Sequence, residues 1–393
     1  MRRAASLVAL ALLVAAAPSR TAAPGVHVEM TWMSIANWYF QIGGLRIVMD
    51  GYITRVPEKI FVPSRQYPND RYTFTTQPWK PNVADVRRVR DAISSDGRLD
   101  FVLAGHSHFD HTYDVATWAL LTGARIIGSQ STCYQAQAQG VPASQCTVVS
   151  GSWVTGHGER IDLGHGVTLR VVRFNHSGDA SNPYQHFGRE LKTPPHAVNG
   201  GLRAGVAEDF PNGGGSRGYL FTVDNPGGRK LSFFVNDSAS AFDLTKPVTA
   251  DGLSYGSPLA NLAAAMRDAG LTSVDAWIAT GSAGLASMIV PVIHPKVYIP
   301  NHWDGFFNSM WRGLPYPFSD KNLSSYLSAH GIRLVPQTQY FDLYRLDAVE
   351  VSLQPNLAVK QKLGFTHAQA FASATHAAVK AFEATVPPDD CQE

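Results

Sequence analysis

The feature that most constrains the fold is a histidine-rich segment, residues 105–111, whose sequence is GHSHFDH. A largely apolar run at residues 99–104 precedes it and is typical of a buried strand, and the pattern of residues 111–121 predicts a helix. Three histidines and one aspartate therefore occupy the turn at the carboxyl end of a strand. In layered α/β proteins, functional sites form at such strand ends.

The spacing within this segment decides which side chains converge. His106 and His108 are two residues apart, so in extended backbone they point the same way. Asp110 and His111 lie where the chain enters the helix, so their side chains diverge from that pair. Neutral imidazole binds zinc, iron and other late first-row metals, and a carboxylate compensates the charge of a cation. We therefore expect a metal site here rather than a run of surface histidines.

Candidate ligands also follow other predicted strands. Each of four apolar runs ends at a histidine or an aspartate: His106 and His108, His176, Asp237, and His302. Strand ends of this kind can converge on one edge of a pair of packed sheets. Each later position also has a simpler interpretation: a loop histidine at His176, a turn residue at Asp237, and competition from His294 for the role of His302.

The motif His106-x-His108-x-Asp110-His111 resembles the signature of the metallo-β-lactamase superfamily of metallohydrolases. The resemblance implies an α/β fold of four layers, an αββα sandwich of two mixed β-sheets flanked by helices. It also implies a dinuclear site with two divalent metal ions as cofactors, Zn²⁺ first, with iron or manganese as alternatives. The sequence PNHW at residues 300–303 resembles the ascorbate-6-phosphate-lactonase-like branch, whereas Asn236 departs from the glycine that the family usually has before the aspartate.

The resemblance further implies a role for each candidate residue. It implies that the first ion is held by His106, His108 and His176, the second by Asp110, His111 and His302, and both by Asp237. Two such ions lower the pKa of a bridging water toward about 7, and the resulting hydroxide is the nucleophile. The same ions polarise a carbonyl or phosphoryl oxygen. Asp110 is the catalytic candidate, because it orients the hydroxide and accepts a proton.

The N-terminus predicts a secretory signal peptide over residues 1–23. Arg2 and Arg3 precede an apolar run at residues 4–17 that is too short to span a bilayer stably, and small residues follow. We therefore expect export to the periplasm or the extracellular space. No later run reaches about 18 apolar residues, so no integral membrane segment is expected after signal removal. The formal net charge of +2 gives no reason to expect a nucleic-acid partner.

The rest of the chain is expected to form a catalytic domain of this fold at residues 24–350 and a C-terminal helical extension at residues 351–393. Residues 180–215 have little periodicity and much glycine, proline and asparagine, so we interpret them as an insertion over the site. The candidate substrate-binding residues are Tyr184, His186 and Trp303. The sequence does not define the oligomeric state.

Cysteine spacing leaves one question open. Cys133 and Cys146 could close a short loop through a disulfide in an exported protein, and two free thiols are equally consistent with the sequence. Cys391 lies in the tail and is expected to be unpaired. None of the three fits a C-x-x-C zinc pattern.

Local patterns predict the remaining elements. Residues 26–32, 37–42 and 45–49 predict a β-meander with Gly43-Gly44 as a hairpin turn, and residues 52–81 predict a long loop. Further strands are predicted at residues 124–128, 146–150, 167–174, 219–223, 231–235, 275–279, 296–299 and 341–345, and helices at 82–95, 132–139, 258–269, 323–329 and 368–384.

Two classes of function are consistent with these features. The first is an exported metal-dependent hydrolase that acts on a small-molecule ester, lactone or phosphodiester, with a metallo-β-lactamase that hydrolyses amides or lactams as the alternative. The second class is a metal-binding or redox protein on the same scaffold, but such relatives characteristically carry a glutamate at the position of His108, so the sequence argues against redox chemistry. A non-enzymatic exported binding protein is a further alternative, which loss of ligand residues would mark.

Overall fold

The computed structural model describes residues 26–62, 74–75, 77–176, 190–206, 208–211, 215–226, 228–250, 252–307 and 309–365. Several sequence predictions lie outside these residues: the signal peptide at 1–23, most of the insertion with Tyr184 and His186, the helix at 368–384, and Cys391. In the described part of the chain, no helix combines the length and apolar character needed to cross a bilayer.

The described residues form two large β-sheets and several helices. The strands are β1 (Val28–Ser34), β2 (Asn37–Ile42), β3 (Leu45–Met49), β4 (Phe61–Val62), β5 (Phe74–Thr75), β6 (Phe101–Leu103), β7 (Arg125–Gly128), β8 (Cys146–Val148), β9 (Arg160–Gly164), β10 (Val167–Arg173), β11 (Arg217–Val223), β12 (Leu231–Asn236), β13 (Thr249–Ala250), β14 (Leu253–Ser254), β15 (Ala276–Ala279), β16 (Val297–Pro300), β17 (Arg333–Leu334), β18 (Leu343–Leu346) and β19 (Val351–Gln354). The helices are α1 (Val83–Ile93), α2 (Phe109–Thr112), α3 (Val115–Thr122), α4 (Gln130–Ala138), α5 (Pro258–Ala269), α6 (Ala283–Ile293), α7 (Lys321–Ala329) and α8 (Leu357–Lys362).

Both large sheets are mixed. The first has the order β19-β18-β1-β2-β3-β6-β7-β8, antiparallel from β19 to β3 and parallel from β3 to β8. The second has the order β17-β16-β15-β12-β11-β10-β9, parallel from β17 to β12 and antiparallel from β12 to β9. Strands β4–β5 and β13–β14 form two small ribbons.

The two sheets pack face to face through buried aromatic side chains. The ring of Phe40 in the first sheet lies 5.8 Å from Phe221 and 5.4 Å from Phe233 in the second, centroid to centroid. Helices α1, α3 and α4 cover the outer face of the first sheet, and α5, α6 and α7 cover that of the second, where Trp277 and Tyr298 are buried beneath them. The expected αββα arrangement of two mixed sheets flanked by helices is confirmed.

The predicted opening meander is confirmed, with the first strand shifted by two residues. Gly43 and Gly44 turn between β2 and β3 with φ values of +57° and +97°. Positive φ at both central residues is what a tight hairpin requires, and glycine adopts it without steric cost. The predicted helix at 82–95 is also present as α1, where the Asn82 side chain accepts a hydrogen bond from the Asp85 backbone N–H.

The helix predicted at residues 111–121 is instead divided into α2 and α3. The break lies at Asp114, whose carboxylate accepts hydrogen bonds from the backbone N–H groups of Ile53, at 2.6 Å, and Thr54, at 2.7 Å. These bonds hold Asp114 against a loop that is distant in sequence. Periodicity within the helix alone does not reveal such a partner.

Helix α6 was not predicted, because its sequence is an almost unbroken apolar run that contains Pro291. Its start is capped by Ser282, whose hydroxyl accepts from the Leu285 N–H. Its end is His294, which adopts φ +40° and is exposed. His294, the alternative to His302 as a ligand, therefore terminates a helix at the surface.

The C-terminal part of the fold differs from the expected boundary at residue 350. Residues 351–354, assigned by sequence to a helical extension, form β19 and pair antiparallel with β18 at the edge of the first sheet. The first sheet therefore continues past that boundary. The open question about the cysteines is answered, because Cys133 in α4 and Cys146 in β8 form a disulfide with their Cα atoms 5.6 Å apart.

Candidate metal centre

The candidate ligands meet because four strands end at the same edge of the sandwich. In the second sheet, β12 and β16 are parallel to β15, with Asn236 aligned to Ala279 and Ala279 to Pro300. Strand β10 runs in the same direction, because β11 between β10 and β12 is antiparallel to both. The residues that follow these strands therefore lie along one edge.

The histidine-rich segment reaches that edge from the first sheet. It follows β6 and is held to the second sheet by two hydrogen bonds. The Arg217 backbone N–H donates to the Gly105 carbonyl oxygen at 2.6 Å, and the Tyr219 hydroxyl donates to the Ala104 carbonyl oxygen at 2.7 Å. The site therefore lies between the two sheets.

The structure brings all seven sequence-predicted ligand residues together. They form three overlapping groups whose ligand atoms lie within 4.8 Å of one another: His106, His108 and His176; His106, His111 and Asp237; and Asp110, His111 and His302. The first and third groups match the two ligand sets implied by the sequence resemblance. Of the seven side chains, that of His108 is partly exposed, whereas the other six are buried.

Short distances join the donor atoms within and between these groups. His106 Nε2 lies 3.0 Å from His108 Nδ1, and His302 Nε2 lies 3.2 Å from His111 Nε2. The Asp237 Oδ2 atom lies 2.7 Å from His106 Nδ1 and 3.2 Å from His111 Nδ1, so this carboxylate contacts one member of each set. Nitrogen atoms bound tetrahedrally to one zinc ion lie about 3.3 Å apart, so these separations suit a shared cation.

Buried negative charge is concentrated at the site. Asp50, Asp110 and Asp237 are at most 5% exposed, and among the described residues their ion pairs are formed with histidines. Burial alone would raise the pKa of Asp110, but the charges and hydrogen bonds of His111 and His302 lower it well below its usual range. Burial likewise opposes ionisation of Asp237, and the charges of His106 and His111 outweigh it and lower its pKa.

The histidines respond to this charge in different ways. Burial would lower the pKa of His111, but the three neighbouring carboxylates raise it well above its usual value. Burial and the charge of His111 lower the pKa of His106. Negative charge is therefore concentrated around His111, and a divalent cation bound there would compensate it.

Two further observations fit a metal ion. Among the described residues, nothing donates a hydrogen bond to Asp237 Oδ1, although this atom is buried, and native proteins rarely leave such atoms unpartnered. A Cβ atom at Gly105 would lie 2.1 Å from Asp237 Oδ2. Only glycine therefore lets the Asp237 carboxylate approach the histidine-rich segment. The donor set of imidazoles and carboxylates suits zinc, iron or manganese.

Sequence reasoning did not assign Asp50 to the site. Its Oδ2 atom lies 2.9 Å from His111 Nδ1, and its Oδ1 atom accepts the Gly105 N–H at 2.8 Å. Asp50 therefore fixes the ring orientation of His111 and the start of the histidine-rich segment. Burial and the charge of Asp237 raise the pKa of Asp50 to about 6. The available signal was its place at the end of β3, before Gly51.

A second unassigned residue, Asp304, holds the backbone around His302. Its Oδ1 atom accepts the Ile35 N–H at 2.9 Å, and the Ile35 carbonyl oxygen accepts the His302 N–H at 3.1 Å. Ile35 and His302 have φ values of +47° and +57°, which are costly for residues with side chains. The two hydrogen bonds compensate this cost and fix the position of His302.

Trp303 is not available to a substrate, contrary to the sequence prediction. Its side chain is 4% exposed, its ring stacks on Trp32 at 5.7 Å, and its indole N–H donates to the Gln337 side chain. Trp303 is therefore a core residue.

Two stretches of the sequence match a motif that surrounds the nucleophilic serine of some hydrolases, but the described structure does not support that role. Residues 214–218 and 252–256 match the pattern G-x-S-x-G, which in hydrolases marks a strand–turn–helix elbow. Ser216 is instead buried at the start of β11, 3.0 Å from the Ser238 hydroxyl, and Ser254 lies in the β13–β14 ribbon. Neither residue therefore forms such an elbow.

No protein-family model and no curated protein matches this sequence. Among solved structures, the chain is similar to Igni18, a metallo hydrolase from Ignicoccus hospitalis, at 12% identity and a TM-score of 0.41, covering 84% of this chain and 98% of that one. It is similar to an isothiocyanate hydrolase from Delia radicum gut bacteria at 11% identity and a TM-score of 0.45, covering 81% and 100%.

It is also similar to MEM-A1, a subclass B3 metallo-β-lactamase from a soil metagenome library, at 11% identity and a TM-score of 0.33, covering 91% of this chain and 95% of that one. Two of these three proteins, Igni18 and MEM-A1, are described as metal-dependent enzymes, and the third is described as a hydrolase. Because these TM-scores lie below 0.5, the geometry of the site itself has to carry any functional argument.

Proposed function

We propose that this protein is a metal-dependent hydrolase with a dinuclear centre. The observation that carries the proposal is the convergence of five imidazoles, two carboxylates and a supporting aspartate in one largely buried cluster. We assign one ion to His106, His108 and His176, a second to Asp110, His111 and His302, and Asp237 to both. Zinc is the first candidate for both ions, with iron or manganese as alternatives.

When bound, two such ions supply a water molecule of lowered pKa and an electrophile for a carbonyl or phosphoryl oxygen. The protein's own groups provide the rest. The charges and hydrogen bonds of His111 and His302 keep the Asp110 carboxylate ionised, so its oxygens can accept a hydrogen bond from a water molecule and orient it. Asp50 keeps the His111 ring in one orientation, and Gly105 leaves room for Asp237.

The proposed substrate is a small-molecule ester, lactone or phosphodiester. Assignment to the ascorbate-6-phosphate-lactonase-like branch rests on the sequence of residues 300–303 alone. Export to the periplasm or the extracellular space is proposed from the composition of residues 1–23, and the Cys133–Cys146 disulfide is consistent with an oxidising compartment.

Metal analysis together with hydrolysis assays tests the proposal. Purified protein is analysed by elemental mass spectrometry and is assayed on lactones, phosphodiesters, esters and β-lactams with and without chelator. We expect two bound ions per chain and chelator-sensitive hydrolysis. His108→Ala and Asp237→Ala should each lower metal content and reduce activity by more than about a hundredfold, beyond the effect of a residue that only supports a ligand.

The matched control is His294→Ala, which removes an exposed histidine outside the cluster. It should keep both metal content and activity. Wild-type activity in a metal-depleted His108→Ala protein would overturn the mechanism, and so would hydrolysis that no chelator affects.

A further inference from the structure

We propose that Gln135 is a positioning residue for His108 and acts by holding the peptide group that leads into this ligand. Because His108 belongs to the first of the two metal sites assigned above, this role rests on the proposed function. Gln135 lies in α4, a helix that contacts β7 and β8 and contributes no residue to the three ligand groups.

The side-chain amide of Gln135 joins two segments that are distant in sequence. Its Nε2 atom donates one hydrogen bond to the Ser107 carbonyl oxygen at 2.8 Å and another to the Asp209 carbonyl oxygen at 2.9 Å. These bonds define the orientation of the amide, because the opposite orientation would place Oε1 against two carbonyl oxygens. Gln135 is 2% exposed and Ser107 is completely buried, so bulk water does not compete for the bonds.

The other atom of the amide shows what the residue contributes. Among the described residues, nothing donates a hydrogen bond to Gln135 Oε1, although this atom is buried. An apolar side chain of the same length would carry no such unpaired oxygen. What Gln135 supplies here is therefore its pair of donor bonds.

The backbone of His108 is held on both sides. The Ser107 carbonyl group, which Gln135 holds, precedes it, and the His108 carbonyl oxygen accepts from the backbone N–H groups of His111, at 3.1 Å, and Thr112, at 2.9 Å. His108 is extended between these two anchors, at the start of α2. The anchors therefore determine the direction in which its side chain leaves the backbone.

That direction sets the geometry of the first site. The Nδ1 atom of His108 lies 3.0 Å from Nε2 of His106, on the other side of Ser107. The Ser107 side chain is fixed as well, because its hydroxyl donates to the Pro211 carbonyl oxygen at 3.1 Å. The residue between the two histidines is thus held through its carbonyl group and its hydroxyl.

Both supports of this arrangement are themselves fixed. In α4, the Ser129 hydroxyl caps the helix start, and the disulfide joins Cys133 to β8, two residues before Gln135. The Asp209 carboxylate is 1% exposed and accepts from the Arg203 backbone N–H and guanidinium, each at 2.7 Å. Gln135 can therefore act as a rigid link.

The effect of Gln135 should be confined to one ion. The second site has other supports, because Asp50 orients His111 and Asp304 holds the backbone around His302. Losing a residue that orients a ligand typically costs about 10–100-fold in metal affinity. We therefore expect loss of the Gln135 amide to weaken one ion by about that factor and to leave the other unchanged.

The test compares Gln135→Met with a matched control, Gln145→Met. Methionine keeps an unbranched side chain but has no hydrogen-bond donor. Gln145 Nε2 also donates to two backbone carbonyl oxygens, those of Ala119 at 3.2 Å and Ala124 at 2.8 Å, and none of these three residues belongs to the ligand groups. The two variants therefore remove the same kind of bonds at different places.

Zinc titrations in competition with a chromophoric chelator resolve the two binding steps, and the absorption spectrum of the cobalt-substituted protein reports the geometry of each site. Gln135→Met should lose affinity in one step only, with a changed cobalt spectrum, and Gln145→Met should match wild type in both. Wild-type affinity for both ions in Gln135→Met, an equal loss of both ions, or the same loss in Gln145→Met would overturn the inference.

NMR order parameters of the full-length protein without metal give a readout that needs neither metal nor turnover. The backbone order parameters of residues 107 and 108 should fall from about 0.85 in wild type and the control to below about 0.6 in Gln135→Met, and unchanged values would overturn the inference. If wild type binds no metal, the proposed function fails, and the order parameters decide the role of Gln135. If Gln135→Met does not fold, Gln135→Asn, whose amide is one methylene shorter, should show smaller changes of the same kind.

Discussion

Asp304 provides the sharpest test of how the fold positions the metal centre. Its carboxylate accepts the buried Ile35 N–H at 2.9 Å, and Ile35 in turn accepts the His302 N–H. Asp304→Ala removes the acceptor and leaves a buried N–H unpaired. Because a hydrogen bond to a charged group contributes about 1.5–3 kcal/mol, we expect the free energy of unfolding to fall by about that amount.

The same change should weaken metal binding. Ile35 and His302 both adopt positive φ, a conformation that costs about 1–3 kcal/mol at each residue and persists only where neighbours enforce it. Without Asp304 the backbone can relax, and the His302 ring then leaves its position beside Asp110 and His111. Losing a residue that orients a ligand typically costs 10–100-fold in metal affinity, and we expect about that loss at one of the two sites.

The assay is a titration of metal-free protein with zinc in competition with a chromophoric chelator, alongside urea unfolding. Asp304→Asn keeps an oxygen acceptor for the Ile35 N–H and should recover most of the lost affinity. Asp91→Ala, which removes a carboxylate with 54% side-chain exposure, should behave as wild type. If Asp304→Ala binds two ions with wild-type affinity, Asp304 does not position His302.

Two further predictions follow from buried contacts. Gly105→Ala should displace Asp237, because its Cβ would lie 2.1 Å from the carboxylate, and elemental analysis should show reduced metal content in a folded protein; full metal content would contradict this. The second prediction concerns Glu190. Burial alone would raise the pKa of Glu190, but the charges of Arg217 and Arg173 lower it. Ionised Glu190 therefore stabilises the fold fully above about pH 4.5, which is the pKa of this side chain in the unfolded chain. This stabilisation is lost as the pH falls toward the lower pKa of Glu190 in the folded protein. Unfolding free energies measured between pH 3 and pH 6 should decline less steeply with acidity in Glu190→Gln, and an identical slope would refute the assignment.

Local sequence patterns were sufficient to predict elements whose ends are set by neighbouring residues. The β2–β3 hairpin was predictable because Gly43 and Gly44 supply the positive φ that its turn needs. Helix α5 was predictable to the residue because Ser257 caps its start and Gly270 ends it in the left-handed conformation. The candidate ligands were found because each follows a recognisable strand.

Contacts between distant segments explain what the sequence did not reveal. Asp50 and His111 are 61 residues apart, and Ile35 and Asp304 are 269 residues apart, so no local pattern connects them. The ring of Trp303 is covered by that of Trp32, which lies in β1, far away in the sequence. Helix α6 was missed because its apolar run has no polar face and contains Pro291, whereas packing against the second sheet stabilises it.

The placement of the candidate centre between the sheets has a consequence beyond chemistry. One sheet contributes the turn at residues 105–111, and the other contributes His176, Asp237 and His302. Ions coordinated from both sides would cross-link the two layers, in the way that a disulfide joins distant parts of a chain. Metal held in this way would contribute to the stability of the fold independently of any reaction at the site.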